Sequence, residues 1–235
     1  MCGIAGSINC EYHQEFLDTL SHRGPDDSGR LEYKNTQIGH TRLSILDTSK
    51  AGHQPMKTSD GKLTIIFNGE IYNHPVLRAE LNKEGYSFNS GSDTETLLKG
   101  WHCWGKKVLE KLNGIFAFAV LDKQRDKITV VRDQFGIKPL YVFEKEDIIA
   151  FASELKIFEH LHEFDDSLNP RAFTQYLSFL WAPGEQTPYR HVRKILPGHY
   201  VDIPLSSPAE VVTKSNITNC LTKAIMLPTK VKQSW

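Results

Sequence analysis

Short apolar runs separated by turn residues recur along the chain, and their spacing predicts strands more often than helices. The run 63–67, Leu-Thr-Ile-Ile-Phe, is bounded at its end by an Asn-Gly pair. The runs 115–122 and Lys127–Arg132 are separated only by a polar tetrapeptide, which is typical of two adjacent antiparallel strands. The pattern predicts strands at Gly3–Ile8, 38–46, 63–67, 115–122, Lys127–Arg132, 140–143 and Ile148–Ala152.

Helical spacing of apolar residues occurs in three places. Residues 74–84 place Val76, Leu77 and Leu81 on one side, and residues 172–180 are a third, shorter candidate. Between them, a helix with Leu97, Leu98 and Trp101 on its apolar face follows Ser92 and Asp93, either of which could cap it. Many strands interleaved with few helices indicate an α+β fold, or stacked sheets flanked by helices, and argue against alternating βαβ units.

Composition narrows the class of protein. Of the 235 residues, 40% are hydrophobic and 24% are charged, and the formal net charge is zero. There is therefore no global electrostatic attraction to nucleic acid or to a membrane surface, and no apolar run approaches the ~20 residues of a membrane span. The four cysteines are widely spaced, which favours reduced thiols in a cytoplasmic protein over a disulfide framework or a metal site.

The second residue is the strongest indication of chemistry. A small residue after Met1 favours removal of that methionine, which would make Cys2 the first residue. An N-terminal cysteine carries a thiol nucleophile and an α-amine whose pKa lies near ~8, so one residue can supply both nucleophile and general base. The alternative is that Cys2 is a small buried hydrophobic residue.

The Asn-Gly pair after the run 63–67 has two interpretations. The side-chain amide of Asn68 and the backbone N–H of Gly69 could be two converging donors to an oxyanion beside Cys2. Asn-Gly is also the strongest short signal for a hairpin turn, and taken alone the pair favours the turn.

Three charged residues could bind a free amino acid. Arg42, within the predicted strand 38–46, is either an edge charge or a bidentate clamp on a carboxylate. Asp93 is by itself more typical of a helix N-cap, but with Glu70 it could bind an ammonium group. An arginine, carboxylates and an oxyanion hole beside a thiol would suit an amino acid with a side-chain amide, and L-glutamine fits.

Ordered motifs across residues 1 to about 203 identify a family. The sequence resembles the class II glutamine amidotransferases, which are N-terminal-nucleophile hydrolases, and within them the glutaminase domain of glutamine-dependent asparagine synthetase. The resemblance rests on the segments 1–6, 22–27, 40–47, 53–56, 67–73, 91–95, 112–119, 132–141, 151–156 and 196–200. The elements His-Arg-Gly-Pro-Asp-Asp (22–27), His-Gln-Pro-Met (53–56) and Phe-Gly-Ile-Lys-Pro-Leu-Tyr (135–141) point to the asparagine-synthetase branch.

The resemblance implies a four-layer αββα sandwich, with two stacked antiparallel sheets between layers of helix. It also implies hydrolysis of glutamine to glutamate and ammonia through a γ-glutamyl thioester, with no metal or organic cofactor. The catalytic residues it implies are Cys2, Asn68 and Gly69. The substrate-binding residues are Arg42 for the carboxylate, Glu70 and Asp93 for the amino group, and the main chain near Leu43 and Ile45.

The C-terminal part departs from the family. We expect residues 1–204 to be the amidotransferase domain and 205–235 to be a divergent tail, the remnant of a linker to an absent synthetase domain that would use ATP and Mg. The tail has one amphipathic patch, 221–227, and the Ser-Gly-Gly-x-Asp-Ser pyrophosphate loop does not occur in the sequence. The chain could be a truncated enzyme or a stand-alone subunit of a separate synthetase chain. It could also serve a glycan or natural-product acceptor, form a homodimer, or be a non-catalytic interaction module.

Overall fold

Two six-stranded antiparallel sheets form the centre of the molecule. The computed structural model describes residues 1–12 and 16–208, and the backbone of 213–216. The first sheet, sheet I, has the strand order β10-β8-β9-β1-β3-β2, and the second, sheet II, has the order β12-β11-β7-β6-β5-β4. The strands of sheet I are β1 (Gly3–Ile8), β2 (Asp27–Tyr33), β3 (Thr36–Arg42), β8 (Tyr141–Lys145), β9 (Ile148–Ala152) and β10 (Val192–Lys194). Those of sheet II are β4 (Met56–Lys57), β5 (Leu63–Ile71), β6 (Gly114–Asp122), β7 (Lys127–Arg132), β11 (His199–Pro204) and β12 (Thr213–Asn216).

The two sheets pack face to face because their strands alternate apolar side chains between two faces. On β1, Ile4 and Ile8 point into the layer between the sheets, while Ala5 belongs to the core on the outer side of sheet I. On β5, Ile66 points into the same inner layer, while Phe67 packs on the helix side. The pocket described in the next subsection lies at the end of this inner layer.

Helices cover the outer face of sheet II. The helix α1 (His74–Lys83) buries Leu77 and Leu81, and α2 (Asp93–Trp104) buries Leu97, Leu98 and Trp101. The hydroxyl oxygen of Ser92 accepts a hydrogen bond from the N–H of Thr94 (3.1 Å), which caps α2. The outer face of sheet I is covered mainly by 3-10 turns at Asp18–Leu20 and Leu155–His160, and α3 (Pro170–Phe179) lies at its edge. The expected α+β sandwich of two stacked antiparallel sheets flanked by helices is confirmed.

The predicted element types are confirmed, but two boundaries were wrong in ways that affect the site. The strand expected at 38–46 ends at Arg42, where the chain turns into a loop that crosses the end of the sheets. The strand expected at 63–67 continues to Ile71, because β6 pairs with it over its whole length. The strands β2, β4, β10, β11 and β12 were not predicted, and the prediction of a loop over 21–30 was wrong for the first residues of β2.

The tail is described only in part. Thr213–Asn216 pair with β11, and the boundary between 204 and 205 stays a prediction. The amphipathic patch 221–227 lies outside the described residues. Within the described part of the chain, no helix combines the length and apolar character needed to cross a bilayer.

Candidate active site

Cys2 lies directly before β1, at the open end of the layer between the sheets. The N–H of Leu43 approaches its Sγ at 3.4 Å, and the thiol faces the carbonyl oxygen of Leu43 at 3.7 Å. The Nε of Arg23 donates to the carbonyl oxygen of Cys2 (2.9 Å), and its Nη1 pairs with Glu154 (2.8 Å). The main chain of Cys2 is therefore fixed from the far side while its side chain stays directed at the pocket.

The thiol is protonated at neutral pH in this environment. Burial raises the pKa of Cys2 above its ordinary value, and the N–H of Leu43, the chain N-terminus and Arg42 only partly oppose that effect. Since the thiolate is the nucleophile, Cys2 needs a base close to its sulfur. The peptide bond between Met1 and Cys2 occupies the nitrogen that would become this base if Met1 were removed.

Asn68 and Gly69 lie inside β5, so the hairpin-turn interpretation is wrong. Asn68 pairs with Ala117 and Gly69 with Phe116 in the antiparallel ladder to β6. The alternation that places Ile66 in the inner layer also places Asn68 there, on the face toward Cys2. A Cβ at Gly69 would overlap the carbonyl oxygen of Ile115 and lie 2.7 Å from the Cα of Phe116, so only glycine fits the close approach of the two strands.

The edge of β5 that faces β4 has an N–H group at Gly69 without an acceptor among the described residues. Because β4 pairs only with Thr64 and Ile65, the N–H groups beyond them on that edge have no strand partner among the described residues. The N–H of Phe67 donates to Gln54 Oε1 (2.6 Å), and that of Ile71 donates to Asp93 Oδ2 (2.9 Å). Gly69 lies midway between these residues, so its N–H points to the same edge, where no described residue accepts it.

The side chain of Asn68 supplies a second donor. It is 1% exposed, and its Nδ2 has no hydrogen-bond partner among the described residues. A buried amide with unused N–H groups costs free energy unless something accepts from it. Asn68 Nδ2 on the inner face of β5 and the N–H of Gly69 at its edge are two unused donors from adjacent residues, and both residues line the same pocket as Cys2. Paired donors beside a thiol are the arrangement that stabilises a developing oxyanion.

All eight residues proposed from the sequence line one pocket. Its lining comprises Met1, Cys2, Arg42, Leu43, Ile45, Leu46, Asp47, Gly52, Gln54, Phe67, Asn68, Gly69, Glu70, Ser92, Asp93, Thr94 and Lys138. Ile45 is 68% exposed, because its side chain points largely to solvent. Its contribution to the pocket lining can therefore come from its main chain.

Arg42 is 7% exposed and fastens the loop that follows β3. Its Nη1 donates to the carbonyl oxygen of Ser49 (2.9 Å), and its Nη2 donates to that of Asp47. The carboxylate of Asp47 in turn accepts from the N–H of Gly91 (2.8 Å), just before α2. The guanidinium therefore lines the pocket while holding the loop that carries Leu43 and Ile45.

Two carboxylates face the pocket from the opposite side. Asp93, the first residue of α2, is 6% exposed, and burial raises its pKa to about 6, with the charge of Glu70 adding to the effect. Glu70 follows Gly69 on β5 and is half-buried. A ligand ammonium between these groups would relieve the cost of the buried charge on Asp93.

Sequence reasoning missed three residues of the pocket and its surroundings. Lys138 was assigned only to the segment 132–141 that shapes the fold, yet it is 9% exposed and lines the pocket. Its loop is folded by the buried carboxylate of Asp133, which accepts from the N–H groups of Phe135, Ile137 and Lys138. Gln54 and His40 were seen only as parts of longer motifs, and no local signal distinguished them from core residues.

A cysteine at the end of two stacked antiparallel sheets, near unused donors on β5, agrees with the fold that the sequence resemblance implied, that of the N-terminal-nucleophile hydrolases. The fold matches the glutamine phosphoribosylpyrophosphate amidotransferase of Bacillus subtilis complexed with ADP and GMP, with a TM-score of 0.68 and 20% sequence identity. That match covers 92% of this chain and 49% of the other, and at this identity it shows the fold alone.

The sequence profile described as a glutamine amidotransferase domain matches residues 1–212, and the chain belongs to that family. It is 38% identical over 208 residues to asparagine synthetase [glutamine-hydrolyzing] 1 of Bacillus subtilis, covering 84% of this chain and 33% of the relative. It is 33% identical over 186 residues to amidase chyE of Penicillium rubens, covering 79% of this chain and 27% of the relative. The chain thus spans about a third of the length of the curated relatives it matches.

Proposed function

We propose that this chain hydrolyses L-glutamine to glutamate and ammonia through a γ-glutamyl thioester on Cys2. The observation that carries the proposal is the pair of unused donors, Asn68 Nδ2 and the N–H of Gly69, in residues that line one pocket with the Cys2 thiol. Membership of the glutamine amidotransferase family supports the choice of glutamine.

The reaction proceeds in two halves. Once Met1 is removed, the α-amine of Cys2 takes the thiol proton, and the sulfur attacks the side-chain amide carbon of glutamine. Asn68 and Gly69 stabilise the oxyanion that forms on the amide oxygen. The protonated amine then gives its proton to the leaving nitrogen, ammonia departs, and a thioester remains. Water, deprotonated by the same amine, attacks the thioester and releases glutamate and the thiol.

The charged side chains orient the amino-acid part of glutamine. Arg42 pairs with its α-carboxylate, Asp93 and Glu70 hold its α-ammonium group, and the main chain near Leu43 and Ile45 lines the pocket. Every group in this scheme is protein or substrate, so we infer that this half-reaction needs no metal or organic cofactor. The cysteine pattern favours the cytoplasm as its location.

The ammonia serves an acceptor reaction outside this chain. We propose asparagine formation from aspartate, using ATP and Mg in a synthetase domain or partner chain, because relatives named asparagine synthetase match at 34–38% identity. The match to an amidase of 33% identity favours, as the second candidate, the same glutaminase chemistry with another acceptor.

Feeding amide-¹⁵N glutamine to the source strain, with and without the gene, should show gene-dependent label in asparagine under the first proposal. Gene-dependent label in another product would favour the second.

The proposed reaction is tested by glutamate release from glutamine, with the intact mass of the same sample recorded. We expect activity only in material whose mass lacks Met1, and none in Cys2→Ala at unchanged thermal stability. Cys2→Ser should be nearly as inactive, because an alcohol is a far poorer nucleophile at neutral pH. Glutamate release by Cys2→Ala, or its absence from processed, folded wild type, would overturn the proposal.

A further inference from the structure

The main chain of Phe67, directly before Asn68, is held by side chains instead of by a neighbouring strand, through its N–H in the peptide with Ile66 and its C=O in the peptide with Asn68. Both its N–H and its C=O point to the free edge of β5, where β4 has already ended. Gln54 accepts from the N–H, and His40 binds the carbonyl oxygen. Buried peptide groups that lacked these partners would cost free energy, so the two side chains complete the edge at this one residue.

His40 reaches the carbonyl group of Phe67 from the other sheet. It lies on β3, where it pairs with Ile4 of β1, two residues from Cys2. Its ring is fully buried, and Nε2 lies 3.0 Å from the carbonyl oxygen of Phe67. A carbonyl oxygen can only accept, so Nε2 carries the ring proton. The bond joins the strand pair that carries the nucleophile to the strand that carries the oxyanion donors.

His40 serves this bond as a neutral ring. Burial lowers its pKa to about 4. The hydrogen bond to Phe67 opposes this effect only in part, and the neighbouring charge of Arg42 adds to the lowering. The ring nitrogen Nδ1 has no hydrogen-bond partner among the described residues. The bond to Phe67 is therefore the only one recorded for the His40 ring in the described part of the chain, and it persists across the neutral pH range.

Gln54 fixes the preceding peptide, on the other side of the Phe67 Cα, from the loop before β4. Its Oε1 accepts from the N–H of Phe67 at 2.6 Å, and its Nε2 donates to the hydroxyl of Thr94 at 3.3 Å, on the first turn of α2. Because the amide is held at both ends, its orientation is set. Asp93, next to Thr94, binds the N–H of Ile71 on the far side of Gly69.

We propose that His40 and Gln54 are positioning residues that set the distance between the Cys2 sulfur and the oxyanion donors of Asn68 and Gly69. The inference rests on the proposed glutaminase function. A shift of the Phe67 main chain moves Asn68 directly, since the two residues are covalently joined. Misplacement of a catalytic group by about 1 Å can cost ~10²-fold in rate, so the two bonds should matter for kcat more than for substrate binding.

Two substitutions at His40 test this inference. His40→Leu removes the donor, and His40→Gln replaces it with an amide N–H that can reach the same carbonyl. We expect His40→Leu to lower kcat for glutamine hydrolysis by ~10–100-fold with little change in KM, and His40→Gln to recover much of the loss. The loss should be the same at pH 6.5 and 8.5, because the ring is neutral at both. Asn68→Ala, which removes one donor outright, should lower kcat by ~10²–10³-fold and is the reference for a lost oxyanion contact.

Alkylation of Cys2 by iodoacetamide separates positioning from general damage. This reaction uses the sulfur but needs no oxyanion hole, so its rate in His40→Leu should stay close to wild type. Tyr12→Phe is the matched control: it removes a buried hydroxyl that donates to the carbonyl oxygen of Gly6 (3.3 Å), in the core outside the pocket. It should lower thermal stability without changing kcat.

Gln54→Met keeps the inference testable if His40→Leu does not fold. It should also lower kcat with alkylation retained. Where both variants fold, the double variant should lose less than the product of the single losses, because both bonds hold the main chain of one residue, Phe67. Three results would overturn the inference. The first is an unchanged kcat in the folded variants, and the second is a parallel loss of kcat and alkylation. The third is a His40→Gln variant that is as inactive as His40→Leu. Wild type without activity would instead overturn the proposed function on which it rests.

Discussion

The buried carboxylate of Asp93 lowers the folding stability at neutral pH, although the proposed function needs its charge. Asp93 is 6% exposed, and burial raises its pKa from 3.8 to about 6. Between these two values the unfolded chain loses a proton that the folded chain keeps, so folding stability falls as pH rises from about 4 to 6 and then levels off. At neutral pH the free enzyme therefore carries an ionised carboxylate that weakens its fold.

Asp93→Asn should gain stability and lose activity. An amide oxygen can still accept from the N–H of Ile71, but no charge is buried, so we expect a gain of roughly 1–3 kcal/mol at pH 8 and little difference near pH 4. Urea unfolding at both pH values measures this difference. In wild type, the fall of kcat/KM with falling pH should steepen by a further factor of about ten per pH unit below 6, as the carboxylate that holds the substrate ammonium is protonated in addition to the α-amine of Cys2. A variant less stable than wild type at pH 8, or one with wild-type KM, would contradict this account.

At the scale of single elements, the end of α3 is strained. Leu180 follows the helix with φ 60° and ψ 12°, the left-handed conformation that glycine adopts without penalty. Its N–H donates to the carbonyl oxygen of Tyr176 (2.8 Å), so the backbone cap is formed. Its side chain is 81% exposed and contributes little packing to offset the strain.

Leu180→Gly should therefore stabilise the protein by about 0.5–1 kcal/mol. Leu177→Gly is the matched control, because Leu177 has the same 81% exposure but lies inside α3, where glycine costs about 1 kcal/mol. Urea midpoints of the two variants should shift in opposite directions. Equal losses in both would mean that the Leu180 side chain packs more than its exposure indicates.

The elements themselves were mostly predictable, because hydrophobic alternation is local. The turn interpretation of Asn68-Gly69 was wrong because the pair fits a turn by its own propensity, and only pairing with β6 keeps it in a strand. The end of β3 at Arg42 was equally hidden, since Leu43, Ile45 and Leu46 continue an apolar pattern while crossing the pocket mouth. Residues that serve a site break the rule that apolar spacing marks an element.

At the scale of the molecule, the motifs identified which residues converge but not how they are connected. The resemblance proposed Cys2, Asn68 and Gly69 together, and the structure places all three at one pocket. The bond from His40 to Phe67 crosses between sheets, over 27 positions of the sequence. Such contacts depend on the stacking of the sheets, which composition and periodicity do not specify.

From the surface of the described residues we predict self-association at neutral pH. The net charge is zero and the sequence pI is about 7.1, so there is little repulsion between copies. The exposed apolar residues of α3 and the segment after it are concentrated in one stretch, namely Tyr176, Leu177, Phe179, Leu180 and Trp181. A contiguous patch of this kind drives association, whereas scattered apolar residues do not.

Leu177→Lys should reduce this association, and Val76→Lys should not. Both replace an exposed apolar side chain by the same charge, but Val76 lies on α1, outside the patch. Sedimentation equilibrium over a range of concentrations at pH 7 should give a mass that rises with concentration for wild type and Val76→Lys, and stays near 26.7 kDa for Leu177→Lys. Moderate sulfate should strengthen the association, since it favours apolar burial. An equal effect of the two substitutions would show that added charge, and not loss of the patch, keeps the copies apart.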